Sequence, residues 1–109
     1  MVFMRRYEIL LPEEFNDGRL VADRCPRCLP ESLMEAANVF GAFTFRPESA
    51  LGTWTAPNHH RYQDRLSVLS VDVEDTPEHC EWIQHFKSHL LQRFQQIEIY
   101  VTSYPVEVV

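Results

Sequence analysis

Alternating apolar residues give way to apolar residues three and four apart, then return to alternation, and this happens twice within 109 residues. Few architectures bury both kinds of stripe at once. In MRRYEILL (4–11), Tyr7, Ile9 and Leu11 share one side of a strand, and Arg6, Glu8 and Leu10 the other. Pro12 ends it. PEEFNDGRLVAD is a polar connection with a turn signal at Asn16-Asp17-Gly18. In PESLMEAANVFG, the residues Leu33, Met34, Ala37 and Phe40 fall at helical spacing. Pro30 suits a first helical position and Gly41 a stop. The preceding DRCPRC is expected to add an extra turn.

AFTFRPESALGTWTAP reads as a strand broken by a bulge near Pro47, NHHR as a turn, and YQDRLSVLSVDVE as the returning strand. Leu69, Val71 and Val73 share one face of the latter; Leu66, Val68, Ser70 and Asp72 share the other. A second helix follows, capped by Asp75 or Thr76, with Pro77 in its first turn and Ile83, Phe86, Leu90 and Phe94 along one face. IEIYVTS then alternates, placing Ile97, Ile99 and Val101 inward and Glu98, Tyr100 and Thr102 outward. Strand, helix, strand, strand, helix, strand is the ferredoxin-like βαββαβ pattern. The expectation is a single α+β domain over 1–109. It has a four-stranded antiparallel sheet with two helices on one face, connected by right-handed crossovers.

The net charge of −6 argues against a nucleic-acid binder, since phosphate attraction needs a basic surface. No window approaches the roughly 20 apolar residues of a membrane span. MVFMRRYEILLPEEF lacks the long apolar centre and cleavage site of a signal peptide. The reading is therefore cytoplasmic, with no membrane partner. Three cysteines in a reducing compartment are expected as thiols or metal ligands rather than as a disulfide framework.

RCPRCLP (24–30) supplies the motif with the most direct chemistry. Cys25-x-x-Cys28 has the bite of half a zinc site, and zinc takes four sulfur or nitrogen ligands. The fold places the start of the first helix and the tip of the central hairpin at one end. Cys25, Cys28, His59 and His60 are therefore the metal candidates, with zinc the metal they would hold. The alternative is a loop that happens to carry two small residues. A thioredoxin-style redox pair would have a strand running directly into the CxxC; here a polar connection does.

Tyr7, Trp54, His59, His60 and Tyr62 are candidates to line a ligand pocket near the hairpin, although Trp54 and Tyr62 can equally pair across strands. Glu81, His85 and His89 stack on one side of the second helix, away from its apolar face, as an exposed polar stripe. On the outer sheet face, Arg6, Glu8, Leu10, Leu66, Val68, Ser70, Tyr100 and Thr102 form a mixed apolar patch. The expected partner there is a second copy about a two-fold axis. There is no phosphate-binding glycine loop, no nucleophile elbow and no serine–histidine–acid set.

Taken together, RRYEILLP, FNDGR, FGAFTF, GTW, VDVEDT and RFQQIEIYVTSYPVEVV resemble a family of short uncharacterised bacterial proteins. The resemblance spans nearly the whole chain and is most specific from Leu66 onward. It implies a ferredoxin-like domain. It implies no activity and transfers no catalytic residue, and CPRC is not part of its pattern. The functional expectation is a homodimeric interaction or regulatory module without catalysis or cofactor. The rival is a zinc-binding protein or a small-molecule enzyme of the dimeric ferredoxin-like type, working between sheet and helices.

Overall fold

The computed structural model describes residues 3–109; Met1 and Val2, part of the domain expected over 1–109, lie outside them. Its elements run β1 (Met4–Pro12), α1 (Val21–Arg24), α2 (Cys28–Phe40), β2 (Thr44–Thr55), β3 (Arg61–Glu74), α3 (Pro77–Arg93) and β4 (Val101–Val106). The strands form one antiparallel sheet in the order β2-β3-β1-β4. The fold is ferredoxin-like α+β, as the periodicity predicts.

Opposite residues in an antiparallel ladder share a face, so register assigns each paired strand residue to a side. Tyr7 opposite Val71, Ile9 opposite Leu69 and Leu11 opposite Ser67 face the helices. Tyr7, Ile9, Leu11, Leu69, Val71 and Val73 are all buried there, against Ile83, Phe86, Leu90 and Phe94 of α3 and its cap. Burying side chains of this size is the main stabilising term of so small a domain. Among the described residues, no helix is long and apolar enough to cross a membrane.

Helix ends follow the expected chemistry. The Thr76 hydroxyl accepts the His79 amide at 3.2 Å, with Pro77 next to it. Gly41 closes α2 with φ of 80°, a left-handed conformation that glycine adopts without a side-chain clash. The extra helical turn lies slightly earlier than DRCPRC: α1 spans Val21–Arg24, overlapping it only at Asp23 and Arg24 and taking in the end of the expected polar connection. Helix α2 begins at Cys28, two residues before the expected start. Pro30 still lies in the first turn, where a missing amide costs no intrahelical bond. The buried stripe of α2 is Cys28, Ser32 and Ala36, and Met34 is 58% exposed, so the inward face lies beside the one expected from Met34 and Ala37.

One strand follows expectation and one departs from it. The bulge near Pro47 is present, with register shifting between Arg46 and Ala50 and Glu48 at φ of 47°. β4 starts at Val101, not Ile97. After α3, Gln95 takes a left-handed φ of 52°, and the Gln96 and Gln95 amides donate to the Leu91 and Gln92 carbonyls. That double closure is a Schellman motif. It places Ile97 on the turn, 58% exposed, rather than inward; inward packing begins at Ile99.

Candidate functional site

The β2–β3 hairpin is longer than the rest of the sheet. β1 pairs with β3 only as far as Pro12 opposite Leu66, whereas β2 pairs with β3 on to Thr55 opposite Arg61. Five more residues of β3 therefore run past β1, roughly 17 Å at strand rise. His59 and His60 ride at the tip of this arm, both exposed, with His59 at φ of 67°. Cys28 is instead buried against the core at the start of α2. The expected convergence of Cys25, Cys28, His59 and His60 is not seen: the histidines sit at the hairpin tip and the cysteines at the α1–α2 corner. Cys25 and Cys28 are joined by a disulfide, their Cα atoms 5.4 Å apart across the α1–α2 corner, and bonded sulfurs are not thiolate ligands. Among the described residues, no group of three or more His, Cys, Asp or Glu side chains is placed to hold a metal ion. Glu81, His85 and His89 are exposed on α3.

The expected pocket also divides. Tyr7 is buried on the helix-facing side, while Trp54 and Tyr62 lie in register on the opposite, outer side. Their rings stack at 4.8 Å between centroids, the His60 ring packs on Tyr62 at 4.4 Å, and the Trp54 Nε1–H donates to Asp64 at 2.9 Å. Trp54, Tyr62 and His60 are thus a cross-strand ladder. The space between sheet and helices is filled by core side chains, Phe86, Phe94, Ile9 and Leu69 among them.

The concave site lies on the outer face. Leu10 and Pro12 of β1, Leu66 of β3, Gly52 and Trp54 of β2, and Tyr100 before β4 line a groove of about 310 Å3, with Asp64 and Glu98 among the polar groups at its margin. Gly52 shapes it: a Cβ there would stand 3.0 Å from Leu66 Cδ1. Tyr100 is 64% exposed beside it.

At the other end of this face the charges are paired within the chain. The Arg6 guanidinium donates twice to Asp72, at 2.7 and 2.9 Å, and the Tyr104 hydroxyl donates to Glu8 at 2.8 Å. The Arg6 hydrogen bonds hold the Asp72 carboxyl below its ordinary range, and Asp72 raises Arg6 in turn. Leu66, Val68 and Ser70 are already buried within the chain, so the accessible apolar surface comes from the outer rim of the groove and from Tyr100 and Tyr104. Gly52, Pro12, Asp64 and Tyr104 were not anticipated. A glycine inside a strand pattern is the signal that marks a close approach, and extending the alternation of Tyr100 and Thr102 by one step reaches Tyr104.

No protein-family model and no curated protein matches this chain. Among solved structures, the chain is similar to a crystal structure of CutA1 from Oryza sativa. The TM-score is 0.58 at 9% identity, covering 99% of this chain and 84% of that one. It also aligns with a crystal structure of the adenosylmethionine decarboxylase from Aquifex aeolicus, with a TM-score of 0.44 at 11% identity over 99% and 93% of the two chains. At such identity the first likeness concerns the fold alone, and the second carries no argument.

Proposed function

We propose that this chain is an association module whose outer sheet face docks a second copy of itself. The apolar groove walled by Trp54 and Tyr100 on a face that no helix covers supports this reading most directly. Aromatic side chains at the rim of a concave apolar surface are the residue types that anchor protein interfaces. A second copy is favoured by local charge. The chain carries −6 overall, yet Arg6 and Arg46 interleave with Asp72 and Glu8 on this face. Two such faces therefore meet without an excess of charge of one sign.

Four strands at their usual spacing make a face roughly 20 Å on a side, at the small end for a stable interface. The association is therefore expected at micromolar rather than nanomolar concentration.

Sedimentation velocity from low to high micromolar concentration tests the reading. The wild type is expected to shift from monomer to dimer, and Tyr100→Glu to remain monomeric with unchanged circular dichroism. Leu51→Glu, on the opposite side of the arm and 66% exposed, is expected to dimerise like the wild type. A wild type that stays monomeric throughout would overturn the proposal. So would a dimer sensitive to Leu51→Glu and indifferent to Tyr100→Glu.

A further inference from the structure

A disulfide across three residues is a poor staple. The stabilisation a crosslink gives through loop closure grows with the loop it closes, and this one ties off a single turn between neighbouring elements. Its surroundings are better suited to opening and closing. Cys28 is the first residue of the thirteen-residue α2 and is 3% exposed, whereas Cys25, at the end of α1, is partly exposed. Cys25 is thus the more exposed of the two cysteines.

An acceptor for the reduced form is already in place. At the end of α3, the Leu90, Leu91 and Gln92 carbonyls accept amides from Phe94, Gln96 and Gln95. The Arg93 carbonyl instead lies 3.6 Å from Cys28 Sγ. A Cys28 thiol can donate to it without moving. The corner would keep its other ties when the bond opens. Ser32 Oγ donates to the Cys28 carbonyl at 2.7 Å and accepts from Arg93 Nη1 at 2.8 Å, and Arg93 Nη2 pairs with Glu35. The Arg24 guanidinium next to Cys25 in sequence is committed to Asp17 at 3.0 Å, so the difference between the two cysteines rests on their exposure.

We propose that Cys25 and Cys28 form a reversible dithiol–disulfide couple, with Cys25 the sulfur that exchanges with a thiol partner and Cys28 the resolving sulfur. In the reductive direction a dithiol reductant supplies two electrons. Its first thiolate attacks Cys25 Sγ, the Cys25–Cys28 bond breaks, and Cys28 leaves as a thiolate that takes up one proton. The second thiolate of the reductant attacks its own sulfur in the mixed disulfide. Cys25 departs, is protonated, and the reductant leaves as a cyclic disulfide. The reverse sequence reoxidises the pair.

The test uses the full chain carrying Cys80→Ser, which removes the exposed third cysteine, in graded mixtures of reduced and oxidised dithiothreitol without denaturant. Intact mass after rapid alkylation reads the redox state, and circular dichroism reads the fold. A single reversible two-electron transition with the fold retained is expected. On brief labelling of the reduced protein, Cys25 should be alkylated at least about tenfold faster than Cys28, reflecting its greater exposure. With oxidised glutathione, a Cys28→Ser variant should accumulate the mixed disulfide at Cys25, and Cys25→Ser should form little at Cys28.

A bond that resists reduction until denaturant is added would overturn the proposal, as would unfolding on reduction or equal labelling of the two sulfurs. Zinc that copurifies stoichiometrically with the reduced protein and is lost from a Cys25→Ser/Cys28→Ser variant would also overturn it, in favour of metal ligation.

Discussion

Glu13 sits just past β1, where its carboxylate accepts from the Ser67 hydroxyl, which in turn accepts the Glu48 amide at 3.0 Å. Burial raises the Glu13 pKa above its ordinary value of 4.5, and the nearby Glu48 carboxylate raises it further. A carboxyl whose pKa is higher folded than unfolded binds more protons in the native state. It thus contributes stability that is full below the unfolded value and is lost as pH rises through the folded one. Glu13→Gln keeps an oxygen for Ser67 and removes the titration. It is expected to be at least as stable as the wild type at neutral pH, with the difference shrinking to nothing below about pH 4.5. Urea denaturation at several pH values checks this. Asp72 and Glu98 have the opposite slope, since Arg6 and Lys87 lower their pKa values. Their contribution is the same in both proteins and cancels in the comparison. An unchanged pH dependence in the variant would remove Glu13 from the account.

At the level of elements, α3 was legible because its start, its face and its length are written locally. The threonine cap, the following proline and four apolar residues at steps of three and four all agree. Thr76→Ala removes the hydroxyl that accepts the His79 amide and is expected to cost about 1 kcal/mol. That loss should lower the thermal midpoint by about 4–8 °C in a domain of this size. A shift under about 1 °C would show that the cap bond contributes little here. The end of the same helix was not legible. Nothing in FQQIEIY says that Gln95 takes a left-handed turn, because glutamine has no preference for one. Alternation from Ile97 to Val101 therefore looked like strand throughout. The candidate site divided along the same line. Which side each of Arg6, Glu8, Leu10 and Leu66 occupies follows from a period of two, and register bore it out. The reach of the hairpin beyond β1 depends on where pairing stops, a tertiary quantity with no local signature. The histidines consequently ride on the tip of the arm while the cysteines sit at the α1–α2 corner.

The arm also decides the shape of the whole molecule. Its longest dimension is 46 Å against 29 and 23 Å for the others, and its radius of gyration is 14.4 Å. A compact domain of 109 residues would measure about 13 Å. Beyond Leu66 the sheet is two strands wide, with Leu51 and Thr53 exposed on one side and the Trp54–Tyr62 stack on the other. A two-stranded ribbon without a covering layer is marginal by itself. Amides of the arm are therefore expected to exchange with solvent much faster than those of Leu69 and Val71 in the central strand, where opening requires disruption of the core. Gly52, Trp54 and Asp64 of the arm line the outer groove, so docking of a second copy there ties the arm to a partner. Hydrogen exchange measured by mass spectrometry at low and high micromolar concentration separates the two situations. Protection of the arm should rise with concentration in the wild type and stay low in Tyr100→Glu, while protection of β1 and the core of β3 changes little in either. Arm protection that is already high in the monomer would mean that the ribbon is stable alone. Protection that stays low in a demonstrated dimer would place the dimer contact on the Arg6–Asp72 end of the face instead.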